Sequence, residues 1–295
     1  MFDFFANIFG YILNWIYILV KNYGFAIIIF SVLIKLAMLP LSINQQKTLK
    51  KNEKIQKEMK ILQIKHKGNP ERLNQEMMEL YRREKMNPFG GCFSVIIQMV
   101  LIIAMFMLVK SPMTYMSKVD TKTINAQIDT IKQENGEESV SAQYPEMSII
   151  KYLEDKKLKD NEMYINMDFL GLDLSKVPQE NLDDITVYII PALYVISSVI
   201  SIKITTKTTQ KMQENKEKEN NNNLINNDDK KELDQAEMTA QMNKSMSWMM
   251  PILSVSISLV APLGLALYWL VNNIIMIVER LILNKVFSKE EKEDA

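Results

Sequence analysis

Apolar runs alternate with charged runs along the chain at a spacing that suits a bilayer better than a soluble core. A membrane span needs about 20 mostly apolar residues. Five stretches reach or approach that length: 23–41, 89–109, 185–204, 245–260 and 265–283. Each predicts a helix, because backbone polar groups in hydrocarbon must be satisfied within their own segment. Pro191 and Pro251 fall inside two of them, which membrane helices tolerate when neighbours satisfy the freed carbonyl. The stretch 245–260 is short and crosses only with little tilt or a thinned bilayer. Ala261, Pro262, Leu263 and Gly264 alone separate it from the next, so 245–283 reads as a tight helical hairpin. The pattern predicts an all-α polytopic membrane protein with a five-helix transmembrane core.

A sixth apolar stretch, 4–20, has a different texture. Asn7, Asn14 and Lys21 mark one polar face, and Tyr11, Trp15 and Tyr17 suit the headgroup region. The reading adopted is an amphipathic helix, 1–22, lying at the interface. A sixth span or an uncleaved signal are the alternatives. No basic region precedes it and no small-residue cleavage site follows, which argues against a cleaved signal.

Charge orients the spans. The 45–88 segment carries twelve Lys/Arg against six acids, whereas 110–184 carries nine Lys against fifteen acids. Lys203, Lys207 and Lys211 follow the third span, and Arg280 and Lys285 close the fifth. By the positive-inside rule the 45–88 segment, the 205–244 linker and the 284–295 tail are cytoplasmic, and 111–184 is outside. The spans then occupy 23–44, 89–110, 185–204 and 245–283, with the N-terminus outside and the C-terminus in the cytoplasm.

Between the first two spans, 45–88 predicts a cytoplasmic helical hairpin. Ile55, Met59 and Leu62 form a stripe on one arm; Leu73, Met77 and Leu80 face it from the other. Asn69, Pro70 and Glu71 supply an N-cap, a proline at the first position and an acid in the first turn. The 214–229 stretch is rich in Asn, Lys and Glu, and reads as a disordered linker. The 120–161 stretch is polar, with weak helical periodicity at Ile124, Ile128 and Ile131.

The chemistry such a chain can carry is limited. There is one cysteine, Cys92, and one histidine, His66, so no internal disulfide and no His/Cys zinc site is expected. Cys92 reads as a packing residue and His66 as a solvated turn residue. No phosphate loop, nucleophile elbow or acid–base pair at membrane depth is found, so neither enzyme activity nor a cofactor is expected. The residue that stands out is Lys35, about 9 Å inside the cytoplasmic end of the first span by helical rise. It either snorkels to the interface or faces a wet cavity. With no acid taken to lie within a span beside it, water or a polar substrate is its expected partner. Ser31 lies one turn away on the same face. Gln98, Ser197, Ser198, Ser201, Ser254, Ser258, Asn272 and Asn273 are polar at membrane depth, each readable as interhelical glue. The 21 methionines suit either lipid-compatible packing or irregular apolar partners.

Several blocks together resemble a known family. Asn22-Tyr23-Gly24-Phe25 with Lys35 and Leu39-Pro40-Leu41, then Asn74-Gln75-Glu76-Met77, then Asn87-Pro88-Phe89-Gly90-Gly91-Cys92-Phe93 with Gln98-Met99, then Met167-Asp168-Phe169-Leu170, then Pro262-Leu263-Gly264-Leu265 through Tyr268-Trp269 and Asn272-Asn273 are similar, in order, to the core of the YidC/Oxa/Alb membrane protein insertases. The resemblance implies a bacterial short form without the large periplasmic domain, located in the cytoplasmic membrane. It implies a hydrophilic, positively charged groove open to the cytoplasm and the lipid, with Lys35, Ser31, Gln98, Trp269 and Tyr268 as its substrate-binding residues. Lys35 stands where the family typically has Arg, keeping the charge and losing bidentate geometry. Trp269 stands where Tyr is common and Ser94 where Pro is usual. The 4–20 stretch matches the family's interfacial helix.

On this reading the chain inserts and helps fold nascent membrane proteins. The ribosome and the Sec translocon are further partners the resemblance implies, DNA is not one, and the acidic tail (Glu290, Glu291, Glu293, Asp294) disfavours a strong tail–ribosome contact. A small-molecule transporter or channel is the alternative, but it would be expected to show inverted repeats that the sequence lacks.

Overall fold

A computed structural model describes residues 2–66, 69–84, 90–220 and 252–293. The protein is an all-α polytopic membrane protein. Its long helices are α1 (Phe2–Val20), α2 (Tyr23–Lys65), α3 (Pro70–Arg83), α4 (Gly90–Lys110), α5 (Thr121–Asn135), α6 (Pro145–Asp155), α7 (Ile189–Asn220), α8 (252–260) and α9 (Leu263–Glu293). Among the described residues, Phe2–Val20, Tyr23–Asn44, Ile185–Ile204 and Leu263–Leu283 are long and apolar enough to cross a membrane, and Met99–Lys110 forms a shorter apolar run within α4. Of the predicted 245–260 helix, 252–260 is helical, and the rest lies outside the described residues.

Several helices continue past the expected boundaries. Asn22 caps α2 by accepting from the Phe25 N–H at 3.1 Å. From there a single helix of 43 residues runs through Pro40 to Lys65, so the first span and the first arm of the hairpin are one rod. A proline costs a helix one N–H bond and need not break it. Similarly, α7 runs on to Asn220, so 214–220 is helical where a disordered linker was expected. Lys and Glu are good helix formers, and Glu214 and Lys218 stand at the favourable i,i+4 spacing. Residues 221–229 lie outside the described residues.

At the hairpin turn, Asn69 accepts from the Arg72 N–H at 3.1 Å, and Pro70 opens α3 as its spacing predicts. Leu80 is buried and Leu73 and Met77 are half-buried; the side chains of Ile55 and Met59 lie outside the described residues. His66 is not a solvated turn residue. Its Nε2 lies 2.9 Å from Glu76 Oε1 and its side chain is 10% exposed, because the turn folds it back against α3. Arg83 and Glu58 pair across the open end of the hairpin.

Packing is tightest where 111–184 covers one end of the bundle. That segment holds more structure than its polar composition predicts: a π-helical turn at Met113–Ser117, α5, α6 and a two-stranded hairpin pairing Asp168–Phe169 with Leu172–Asp173. Leu170 and Gly171 at the hairpin turn have φ of 53° and 81°, as a tight turn with two left-handed central residues requires. Ile124 and Ile131 are buried, which accounts for the weak periodicity of α5.

This cap binds the ends of the other helices. The Tyr23 N–H donates to Asn166 O at 3.0 Å, and Leu263 and Gly264 N–H donate to Lys176 O at 2.9 Å and Leu174 O at 3.1 Å. Thus the first orphan donors of α2 and α9 find carbonyls in the cap. Tyr144 donates its hydroxyl to Val260 O at 2.9 Å, fixing the α8–α9 turn. Asp184 caps the turn before α7, accepting from Thr186 N–H and Oγ1–H at 2.9 and 2.6 Å and pairing with Lys176 Nζ at 2.7 Å. The Lys176 ammonium, with both Thr186 donors, holds its carboxyl down at about 2.

The helix α1 buries Ala6, Gly10, Leu13 and Ile16 and exposes Phe4, Tyr11, Trp15 and Leu19. Its two ends are both held by the cap segment. Near the start, Asp3 accepts from the Tyr115 hydroxyl at 2.8 Å and Asn7 accepts from Lys118. Near the end, the Tyr17 hydroxyl accepts from Asn166 N–H at 2.8 Å and Lys21 O from Asn166 Nδ2 at 3.2 Å. Midway, Gly10 lies so close to the Tyr115 carbonyl that a Cβ there would meet backbone.

Candidate functional site: a polar strip between α2, α9 and α7

The helices α2 and α9 run parallel. Tyr23 packs near Gly264 at the capped end, and further along Lys35 meets Glu279. The Lys35 Nζ lies 3.9 Å from Glu279 Oε2, with side chains 22% and 13% exposed. This corrects the expectation that no acid within a span approaches Lys35. Glu279 is the one acid in 263–283, and the parallel packing of α2 and α9 brings it alongside. Ser31, one turn before Lys35, is fully buried, and its hydroxyl has no partner among the described residues.

Closer to the capped end the α7–α9 contact is hydrogen-bonded, although the buried Tyr23 hydroxyl has no partner among the described residues. Asn273 Nδ2 donates to Ser197 Oγ and to Ser198 Oγ, both at 3.0 Å, so the α7–α9 contact is tied by side-chain amide and hydroxyls. The Ser197 hydroxyl also donates to Tyr194 O at 2.8 Å. Such bonds are the interhelical glue that these residue types suggest in lipid. Asn272 donates to its own helix, at Tyr268 O, 2.8 Å.

The other expected groove residues fall in different surroundings. Tyr268 is 3% exposed and belongs to the main apolar core. Trp269 is half-buried beside Tyr194, their ring centroids 6.2 Å apart. Gln98 belongs to α4, and its side chain lies outside the described residues. The structure therefore brings Ser31 and Lys35 together, adds Glu279, and sets Tyr268 and Trp269 back toward the core.

The two ends of the bundle differ in packing. Near the cap, Tyr23, Ala26, Ile27, Phe30, Met105 and Leu108 are buried. Beyond Ser31, α2 buries no residue up to Asn44, and beyond Asn273 the described part of α9 buries only Leu283. Lys35 and Glu279 thus occupy the looser half, away from the cap. Among the described residues no cluster of three His, Cys, Asp or Glu side chains is placed to hold a metal ion. The charge pair, the buried hydroxyl and the partial exposure give the strip one chemical capacity: solvating polar or charged groups at membrane depth.

A family model described as 60Kd inner membrane protein matches residues 15–291. The chain belongs to that family. The resemblance in its motifs is thereby borne out, and with the apolar helices it marks a multi-pass protein of the bacterial inner membrane. Similar proteins include the membrane protein insertase YidC of Polynucleobacter asymbioticus, 42% identical over 96 residues, which cover 32% of this chain and 17% of the relative. The membrane protein insertase YidC of Chlorobaculum tepidum is 46% identical over 100 residues, 34% of this chain and 17% of the relative. That of Syntrophobacter fumaroxidans is 38% identical over 105 residues, 36% and 19%. The chain therefore spans less than a fifth of the length of the curated relatives it matches.

Proposed function

We propose that this protein is a membrane protein insertase and chaperone, working through a hydrated groove whose cation is Lys35. Polar tails of a client enter the groove from the cytoplasmic side, and its apolar segment passes sideways into lipid. The work is solvation: a wet, charged cavity lowers the cost of carrying polar groups partway across. No nucleotide and no bond-making step is part of it. Ser31 lines the groove with Lys35, Gln98 is the further groove residue that the family resemblance implies, and Tyr268 and Trp269 form its wall toward the core.

The orientation that goes with this function places the cap outside and the hairpin, α3 and the end of α9 in the cytoplasm, as the Lys/Arg distribution favours. Five spans cross: 23–44, 89–110, 185–204, 245–260 and 263–283. The helix α1 lies along the outer interface; the tethering of both its ends to the cap supports this, since a spanning helix of 19 residues would separate its ends by about 27 Å across the bilayer. Nascent membrane proteins are the clients, and the basic hairpin is the surface for the ribosome or the Sec translocon.

The observation that carries the proposal is the placement of Lys35: a partly exposed cation at membrane depth, in the looser half of the bundle, in a chain of this family. The test is insertion of single-span clients differing only in tail charge, by full-length protein in proteoliposomes. Lys35→Arg retains insertion, Lys35→Ala lowers it most for acidic tails, and Lys35→Glu lowers it further. Proteoliposomes that insert no more client than empty lipid would sink the insertase reading.

A further inference from the structure

We infer that Glu279 is a built-in counter-ion for Lys35 and sets the charge preference of the groove, so that an acidic group of a client reaches the lysine only by displacing this carboxylate. The inference rests on the reading of Lys35 as the groove cation.

The geometry of the pair is that of an exchangeable partner. A charge-assisted N–H···O bond runs about 2.7–2.9 Å, whereas Lys35 and Glu279 stand 3.9 Å apart. That is close enough for Coulomb attraction and too far for a hydrogen bond. The second oxygen, Glu279 Oε1, is buried with no hydrogen-bond partner among the described residues. A carboxylate held this way keeps unfilled lone pairs, which a closed structural bridge does not leave. The same molecule shows the closed kind. Lys176 and Asp184 lie 2.7 Å apart, and Thr186 fills the second carboxylate oxygen with two donors. Ser31, fully buried with an unpartnered hydroxyl one turn from Lys35, adds unused hydrogen-bonding capacity on the face of α2 that carries the lysine.

Charge arithmetic gives the functional consequence. With Glu279 in place, an incoming acidic tail meets a dipole in place of a full positive charge. With it displaced, the tail meets the full positive charge of Lys35. Glu279 therefore penalises acidic tails and offers basic tails an anchor. The preference is carried by one side chain on a helix opposite the lysine.

The experiment uses full-length protein in proteoliposomes, three matched clients with acidic, neutral and basic tails, and the variants Glu279→Gln, Lys35→Gln and their double. Glu279→Gln is expected to raise the acidic-to-neutral insertion ratio by roughly threefold, in the range of a partly exposed ion pair, and to lower the basic-to-neutral ratio. Lys35→Gln is expected to abolish the first effect. The proposal is overturned if Glu279→Gln scales all three clients alike, or if its effect persists undiminished on the Lys35→Gln background. A second readout needs no client: the thermal stability of the four proteins forms a double-mutant cycle, and zero coupling overturns the pairing itself. Wild-type protein that inserts none of the clients would overturn the insertase reading and with it the client preference, while nonzero coupling would still establish the pair.

Discussion

Replacing Glu146 with alanine should loosen α6 from the π-helical turn that follows α4. The residue is 4% exposed and stands in the first turn of α6, where the helix dipole favours an anion. Its Oε2 accepts from the Met113 N–H at 2.7 Å and the Thr114 N–H at 3.3 Å, and its Oε1 from the Thr114 hydroxyl at 2.6 Å. Alanine leaves those donors facing an apolar space. At about 1–3 kcal/mol for each orphaned buried donor, and with the hydroxyl free to rotate elsewhere, the loss is on the order of 3–5 kcal/mol. Glutamine keeps one oxygen for both N–H groups and offers its amide to the Thr114 oxygen, so Glu146→Gln should fall within about 1 kcal/mol of wild type at neutral pH.

Acid adds a second signature. Burial pushes the Glu146 carboxyl above its ordinary 4.5, against the pull of its three hydrogen bonds. The folded protein therefore takes up this proton before the unfolded chain does. The stability linked to it is full below the ordinary value and is lost as pH rises through the raised one. Glu146→Gln should lack that slope. The assay is thermal unfolding in nanodiscs across pH, together with hydrogen exchange at Met113 and Thr114. Wild-type protection and melting in Glu146→Ala, or equal damage from Ala and Gln, would refute the bonding assigned to this carboxylate.

Two further outcomes follow from the geometry. Asn273→Leu removes the donor shared by Ser197 and Ser198 and should cost about 0.6–2 kcal/mol in a bilayer; adding Ser197→Ala and Ser198→Ala should change little more, and strictly additive losses in a detergent-unfolding cycle would count against a single α7–α9 clamp. With Cys92 replaced, cysteines introduced at the exposed positions Glu71 and Glu138 should react with an impermeant thiol reagent from opposite sides of the membrane, and labelling from one side would break the proposed orientation.

What the sequence revealed follows a physical divide. The long helices were legible because lipid demands an uninterrupted apolar run, and that demand is written locally. Lys35 was legible because a lone charge in such a run is conspicuous. Glu279 was overlooked because it sits near the end of its span beside Arg280, where charges pass for interfacial anchors. Its meaning depends on α2 and α9 lying side by side in parallel, which no local pattern encodes. The cap was illegible for a related reason. Met113, Met116, Tyr144, Ile165, Met167 and Leu174 are all buried, yet they come from separate turns and irregular stretches of the segment, so they share no period. The helical continuation of α7 is ambiguous in composition, since a run of Lys, Glu and Asn suits a solvated linker while Lys and Glu in register also favour a helix.

The distribution of satisfied and unsatisfied polar groups ties the fold to the proposed function. At the capped end most polar groups are bonded closely: Glu146 by three donors, Asp184 by Thr186 and Lys176, the starts of α2 and α9 by cap carbonyls, while the buried Tyr23 hydroxyl has no partner among the described residues. Midway, Asn273 closes on two serines. Beyond that level stand a pair at 3.9 Å, a carboxylate oxygen without a bond and a buried hydroxyl without one. Close-packed apolar contact and saturated hydrogen bonds resist opening, because separating them exposes groups with nothing to replace their partners. Loosely paired charges resist less, since water or a client carboxylate can take the place of the partner. A bundle built this way is fixed at one end and adaptable at the other. A passing polar segment could therefore be accommodated beside Lys35 without loosening the cap that holds the helices together.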